Sequence, residues 1–128
     1  MILLLDTSTP TCKLTLIEGD DHYDSEWLAD RELGKGLLRY LHDQLGSQKK
    51  SWKDITAIGV YEGPGSFTGL RIGMTVLNTI ADSEAIPIVG GRGESWQAEA
   101  IDKILAGKNE LIVLPRYGSD PLITKPRK

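Results

Sequence analysis

The chain has 128 residues, of which 40% are hydrophobic and 26% are charged, and this suits one globular domain with its own core. Its formal net charge of −3 disfavours a domain that grips nucleic acid unaided, because phosphate contacts need a basic surface. The single cysteine excludes an intramolecular disulfide. With no signal-like start and no apolar run of about 20 residues, we expect a cytoplasmic protein without a membrane span.

The first part of the chain predicts three antiparallel strands. Ile2 to Leu5 is an unbroken apolar run, typical of a strand that is buried on both faces. Thr11 to Ile17 alternates apolar and polar residues, which predicts a half-buried strand antiparallel to the first. His22 to Trp27 carries several charges, so we expect it at the edge of the sheet.

Helices and strands then alternate. Asp30 is the predicted N-cap of the first helix, and Gly46 is its predicted stop. The predicted helices cover residues 31–45, 68–82 and 94–105, and the predicted strands cover 55–61, 86–89 and 111–114. The order β-β-β-α-β-α-β-α-β predicts an α/β domain with a mixed sheet over residues 1–114, followed by an extended tail over 115–128.

A glycine-rich segment, residues 63–73, leaves a strand and enters a helix. Such a turn can cradle phosphate at the positive end of a helix, but it lacks the lysine of a P-loop and misses the dinucleotide spacing by one residue. Alternatively, Gly69 and Gly73 lie on one helical face and let a helix of a second chain approach. The helix is apolar nearly all round, which favours this second interpretation. On that view Gly73→Leu would block the contact and leave the monomer folded.

The same segment, with the sequence GPGSFTGLRIG, resembles the signature of the TsaB (YeaZ) family. Ile2 to Thr9 resembles the opening strand and loop of that family, and Leu37-Leu38 and residues 86–90 also match it. The resemblance covers residues 1 to 90 and implies an actin-like, ribonuclease-H-like fold. The chain is too short for the second lobe of the family, so we expect a single lobe.

The resemblance further implies a non-catalytic subunit that supports a TsaD-like catalytic subunit in the threonylcarbamoylation of a tRNA adenosine next to the anticodon. A TsaE-like ATPase belongs to the same complex, tRNA is reached only through that complex, and a homodimer can form through the same helices. The residues that the resemblance places at the interface are Leu33, Leu37, Leu41, Gly69, Leu70, Arg71, Gly73, Met74 and Leu77.

The enzymatic alternative is an actin-like nucleotide hydrolase or a degenerate M22-type glycopeptidase that acts alone. His22 and His42 lie in separate predicted elements, so we expect neither a paired-histidine metal site nor a cofactor. Cys12 alternates with leucines and is predicted to be a core residue. Two loops either face a nucleotide, as in actin-like ATPases, or form capped turns. Their residues are Asp6, Thr7, Ser8, Gly63, Pro64, Gly65 and Ser66.

Overall fold

The computed structural model describes residues 1–115, so the predicted tail lies, apart from its first residue, outside the described residues. The strands are β1 (Ile2–Asp6), β2 (Thr11–Glu18), β3 (Asp21–Leu28), β4 (Ala57–Tyr61) and β5 (Ile88–Gly91). The helices are α1 (Leu33–Ser47), α2 (Phe67–Glu84) and α3 (Trp96–Leu105). Their order along the chain is β1-β2-β3-α1-β4-α2-β5-α3, which agrees with the predicted pattern up to α3.

The five strands form one mixed sheet in the order β3-β2-β1-β4-β5. The pairs β1–β2 and β2–β3 are antiparallel, whereas β1–β4 and β4–β5 are parallel. The central strand β1 is buried on both faces, as its continuous apolar run predicts. Strand β3 lies at the edge of the sheet, as its charges predict.

Two cores flank the sheet. The larger core lies between the sheet and helices α1 and α2, and β1 contributes Leu3 and Leu5 to it. The smaller core lies under α3, where Leu4 packs with Val89 and Ala100. The alternation of side chains along β1 therefore feeds both layers. No helix within residues 1–115 is long and apolar enough to cross a membrane.

The predicted ends of the first helix were wrong. Asp30 lies in a short 3-10 turn with φ 47°, and α1 begins three residues later with Glu32 in the N-cap position and no side-chain cap. Gly46 lies inside α1, and the left-handed residue after the helix is Lys49, at φ 60°. The backbone N–H of Lys49 donates to the carbonyl of Gly46, so local hydrogen bonds, not a glycine, end this helix.

The predicted last strand, Leu111 to Leu114, was also wrong. The chain leaves α3 through Gly107. Residues 109–113, called the strap below, then lie along the outer edge of β5. The chain turns at Leu111, where φ is 67°. Beyond it, the carboxamide of Asn78 binds both the N–H and the carbonyl of Val113, each at 2.9 Å. The Asn78 side chain thus supplies the hydrogen bonds that a partner strand would otherwise provide to Val113.

Candidate functional site

The structure brings together the two loops that the sequence singled out. Thr7 is only 2% exposed, and its hydroxyl donates to the Gly69 carbonyl at 2.7 Å. The N–H of Ser66 donates to the Ser8 carbonyl at 2.9 Å. A Cβ atom placed on Gly65 would lie 2.5 Å from the Cβ of Ser8. The loop after β1 and the glycine-rich turn before α2 are therefore packed backbone against backbone.

Gly69 and Gly73 face this loop and not a second chain. A Cβ at Gly69 would overlap the Thr7 carbonyl oxygen, and a Cβ at Gly73 would overlap the Thr7 hydroxyl. Their four-residue spacing lets α2 lie against the end of β1 in the same chain. The prediction that these two glycines form a contact surface for a neighbouring helix was wrong, because the monomer itself fills that space.

The hydrogen bonds of both loops agree with capped turns. One carboxylate oxygen of Asp6 accepts the N–H of Ser8 at 2.8 Å. The hydroxyl of Ser66 is the N-cap of α2 and accepts the N–H of Gly69 at 3.3 Å. That contact satisfies one of the amides that a phosphate at the start of α2 would bind. A nucleotide-facing role for these loops stays a prediction.

The Cys12 thiol and the Tyr61 hydroxyl, near these loops, are poor nucleophiles at neutral pH. Burial raises the pKa of the Cys12 thiol to about 12, and the negative charge of Asp6 adds to the effect, so this thiol stays protonated. The pKa of Tyr61 is also raised, by burial first and by Asp6 second. The Tyr61 hydroxyl donates to the Pro64 carbonyl at 2.6 Å and ties the glycine-rich turn to β4.

His22 lies in β3 and His42 in α1, and both side chains are exposed. Among residues 1–115 no three His, Cys, Asp or Glu side chains converge as metal ligands.

Glu62, which the sequence pattern did not single out, directly follows β4 and is buried. Its side chain covers Gly90, where a Cβ would overlap the carboxylate. Burial lowers the pKa of Lys103 on α3, but Glu110, Glu99 and, least of all, the charge of Glu62 together raise it above its ordinary value. An acidic residue between an apolar strand and a glycine-rich turn was the available signal, but its burial depends on the neighbouring strand.

Most residues predicted for the interface belong to the core of the monomer. The exceptions are Arg71, which is exposed, and Gly69, which is half-buried. The others are buried: Leu33, Leu37, Leu41, Leu70, Gly73, Met74 and Leu77. A side chain that already packs on its own sheet has no surface left for a second chain. The predicted placement of these seven residues at the interface is therefore corrected, because the leucine stripe of α1 and the inward face of α2 are buried in the monomer.

A different surface lies on the outward side of the same two helices. We call it the helical groove, a shallow depression of about 370 Å³ lined by Gly34, Phe67, Thr68, Arg71, Ile72, Thr75 and Val76. Phe67 is 50% exposed, and the Arg71 guanidinium lies over its ring, 5.1 Å from the centroid. Leu38 on α1 is 55% exposed. The groove thus combines exposed apolar side chains with a cation on one rim.

The strand order, with helices on both faces and packed loops at the ends of β1 and β4, defines a single actin-like, ribonuclease-H-like lobe. Residues 27–92, just over half of the chain, match the family described as TsaD, tRNA N6-adenosine threonylcarbamoyltransferase. The chain belongs to this family, and within it to the TsaB (YeaZ) group.

Three members of that group illustrate the similarity. TsaB of Escherichia coli (strain K12) is 34% identical over 115 residues, which cover 82% of this chain and 48% of that protein. TsaB of Bacillus subtilis (strain 168) is 34% identical over 89 residues, with coverages of 68% and 38%. The solved structure of YeaZ from Pseudomonas aeruginosa superposes with a TM-score of 0.67 and 28% identity, and covers 71% of this chain and 43% of that one. The chain spans less than half the length of these relatives.

Proposed function

We propose that this chain is a non-catalytic subunit in the biosynthesis of threonylcarbamoyladenosine in tRNA, and that it binds and supports a TsaD-like catalytic subunit. The matched relatives are named tRNA threonylcarbamoyladenosine biosynthesis protein TsaB, which supports the pathway. In this proposal a TsaE-like ATPase joins the same complex in the cytoplasm, and tRNA is contacted only through it. The net charge of −3 supports indirect contact with tRNA.

The observation that carries the proposal is the helical groove. Interface centres are enriched in aromatic residues and arginine, and the groove presents Phe67 and Arg71 side by side. The guanidinium is already stacked on the ring, so less side-chain freedom is lost when a partner binds. Leu38 extends the apolar surface on α1. A helix of the partner is an element that can pack into a groove lined by two helices.

Three observations support a non-catalytic role for this chain. The Ser66 hydroxyl caps its own helix, and the Asp6 carboxylate accepts a backbone N–H of its own turn. The Cys12 thiol is buried, with its pKa raised to about 12. The groups that the enzymatic alternative would use are therefore engaged in the fold.

Co-purification with the TsaD-like protein of the same genome tests the proposal. Phe67→Ala removes an exposed aromatic anchor, and we expect a loss of about 2 kcal/mol of binding energy, or about 30-fold in Kd. Leu105→Ala is the matched control, because Leu105 is 78% exposed but lies on α3, on the other side of the sheet. Equal binding by both variants and the wild type would contradict the assignment of the groove.

Two further measurements separate the alternatives. Sedimentation of the chain alone shows whether a homodimer uses the same groove, since Phe67→Ala would then weaken it as well. Modification of tRNA by the catalytic subunit should require this chain. ATP turnover by the chain alone that disappears in Asp6→Ala would instead favour the nucleotide hydrolase.

A further inference from the structure

The two edges of the sheet are protected in different ways. The edge strand β3 exposes the charged side chains of Asp21, Asp24 and Glu26, which discourage pairing with another strand. The other edge strand, β5, has the sequence Ile-Val-Gly-Gly and carries no charge. Its own side chains therefore give no protection to its backbone, and the protection must come from another part of the chain.

The outward-facing backbone groups of β5 can be identified from its pairing with β4. The carbonyls of Pro87 and Gly91 accept hydrogen bonds from the N–H groups of Ile58 and Glu62. Because backbone groups alternate along a strand, Ile88 and Gly90 direct their N–H and carbonyl groups away from β4. These four groups form the free edge.

All four groups are satisfied by residues that follow β5 in the chain. The Ile88 N–H donates to the Asn109 side-chain carbonyl at 3.1 Å, and the Ile88 carbonyl accepts the Glu110 N–H at 2.8 Å. The Gly90 N–H donates to the Glu110 carboxylate at 2.7 Å, and the Gly90 carbonyl accepts from the Lys103 ammonium at 2.7 Å. Three of these bonds use side chains, so the edge is covered without a sixth strand.

The strap that supplies most of this cover is fastened at its ends and loosely packed between them. Val113 is 2% exposed and held by Asn78, whereas Leu111 and Ile112 are exposed. A cavity of about 750 Å³, lined in part by Leu111 and Ile112, separates the strap from α2. Leu111 also adopts a left-handed conformation that leucine rarely takes. Displacement of the strap withdraws one buried apolar side chain, that of Val113, from the larger core, because residues 109–112 are exposed.

We propose that the strap is a displaceable cover of the β5 edge, and that its displacement opens a strand-addition site for a second copy of this chain. Two β5 strands, whose own residues carry no charge, can pair antiparallel about a twofold axis and leave no open end. In such a pair the Lys103 ammonium must also leave the Gly90 carbonyl. Pairing of β5 with a β3 edge would place carboxylates beside the shared strand. The site uses none of the residues of the helical groove and does not depend on the proposed function.

The first test uses the unmodified full chain. A displaceable cover predicts that the Ile88 and Gly90 amides exchange with deuterium through local opening, and therefore at least tenfold faster than the Leu4 amide in the central strand. Exchange at the same rate as Leu4 would mean that the edge opens only in global unfolding, and would overturn the proposal.

The second test weakens the cover by removing the two strap side chains that bind β5. In the double variant Asn109→Ala/Glu110→Ala, we expect concentration-dependent association at least tenfold stronger than that of the wild type in sedimentation. At high concentration the Ile88 and Gly90 amides should again be protected. Glu18→Ala is the matched control, because it removes a carboxylate from its ion pair with Lys50, away from β5.

Every outcome of this second test is decisive. Association equal to the wild type, whether the two amides exchange fast or slowly, overturns the proposal. If circular dichroism shows that the double variant does not fold, Asn78→Ala replaces it and releases the other end of the strap; wild-type association then has the same consequence. Association through the helical groove is distinguished because Phe67→Ala weakens it, whereas pairing through β5 is unaffected by that change.

Discussion

The inward and outward faces of the α1–α2 pair are built from similar residues but have different roles. Leu37 is fully buried, whereas its neighbour Leu38 is 55% exposed. Consecutive residues differ by about 100° around a helix, so the paired leucines lie on different faces, one buried and one exposed. The regular four-residue leucine stripe marks the face that packs on the sheet, and the less regular outward set around Phe67 marks the groove. Regular apolar spacing in a helix is thus better evidence for a core than for an interface.

The change with the largest expected effect is Gly73→Leu. Its side chain would have to occupy the space that the buried Thr7 fills, so we expect a loss of more than about 4 kcal/mol in the free energy of unfolding. Gly46→Leu in α1 is the control, because a Cβ there meets nothing within 4 Å, and it should be neutral or stabilising. Urea denaturation measures both. Similar midpoints for the two variants would show that Gly73 does not pack against Thr7, and would restore the prediction that it meets a helix of a second chain.

The neighbouring leucines of α1 give the second largest contrast. Leu37→Ala leaves a cavity in the core and should cost about 2–5 kcal/mol of stability. Leu38→Ala should change stability by less than about 0.5 kcal/mol and weaken binding of the TsaD-like partner instead. Thermal unfolding and co-purification of both variants test the distinction. A stable Leu37→Ala that loses the partner would restore the original interface prediction.

A smaller effect is expected for the loop contact itself. Thr7→Val keeps the shape of the side chain but removes the hydroxyl that donates to the Gly69 carbonyl at 2.7 Å. We expect a loss of about 1 kcal/mol in the free energy of unfolding. Thr9→Val is the control, because the Thr9 hydroxyl makes only exposed local bonds within its own turn. If both changes cost equally little, Thr7 does not fasten α2 to β1.

The smallest expected effect is a pH dependence from Glu99 beside β5. The backbone N–H of Arg92 and then Lys103 hold the pKa of Glu99 below its ordinary value of 4.5, despite partial burial. A lowered folded-state pKa gives stability that is present above the unfolded value and lost as the pH falls through the folded one. Glu99→Gln should therefore lower the thermal midpoint at pH 7, and the difference from the wild type should shrink below pH 4.5. A difference that is constant from pH 7 to pH 3 would exclude this charge as its source.

Local patterns predicted most of the elements. The apolar run of β1 and the charges of β3 reflect how many faces of a strand are buried, and the structure confirms all three strands. The half-buried character predicted for β2 was wrong, because its residues 14–17 are buried on both faces. The start and end of α1 were missed because 3-10 turns and local hydrogen bonds replace the expected caps. The last strand was wrongly predicted, because an apolar segment can be anchored by a single buried valine and a side-chain amide without pairing in the sheet.

By itself, the sequence determined the α/β class, the order of elements up to α3 and membership of the TsaB (YeaZ) group, because these depend on periodicity and on the glycine-rich segment. Only the tertiary structure decided that Gly69 and Gly73 face Thr7, that the leucine stripe of α1 is core, and that residues 109–113 cover β5. The physical reason is that spacing shows which residues share a face, while contact between elements far apart in the chain decides what that face meets.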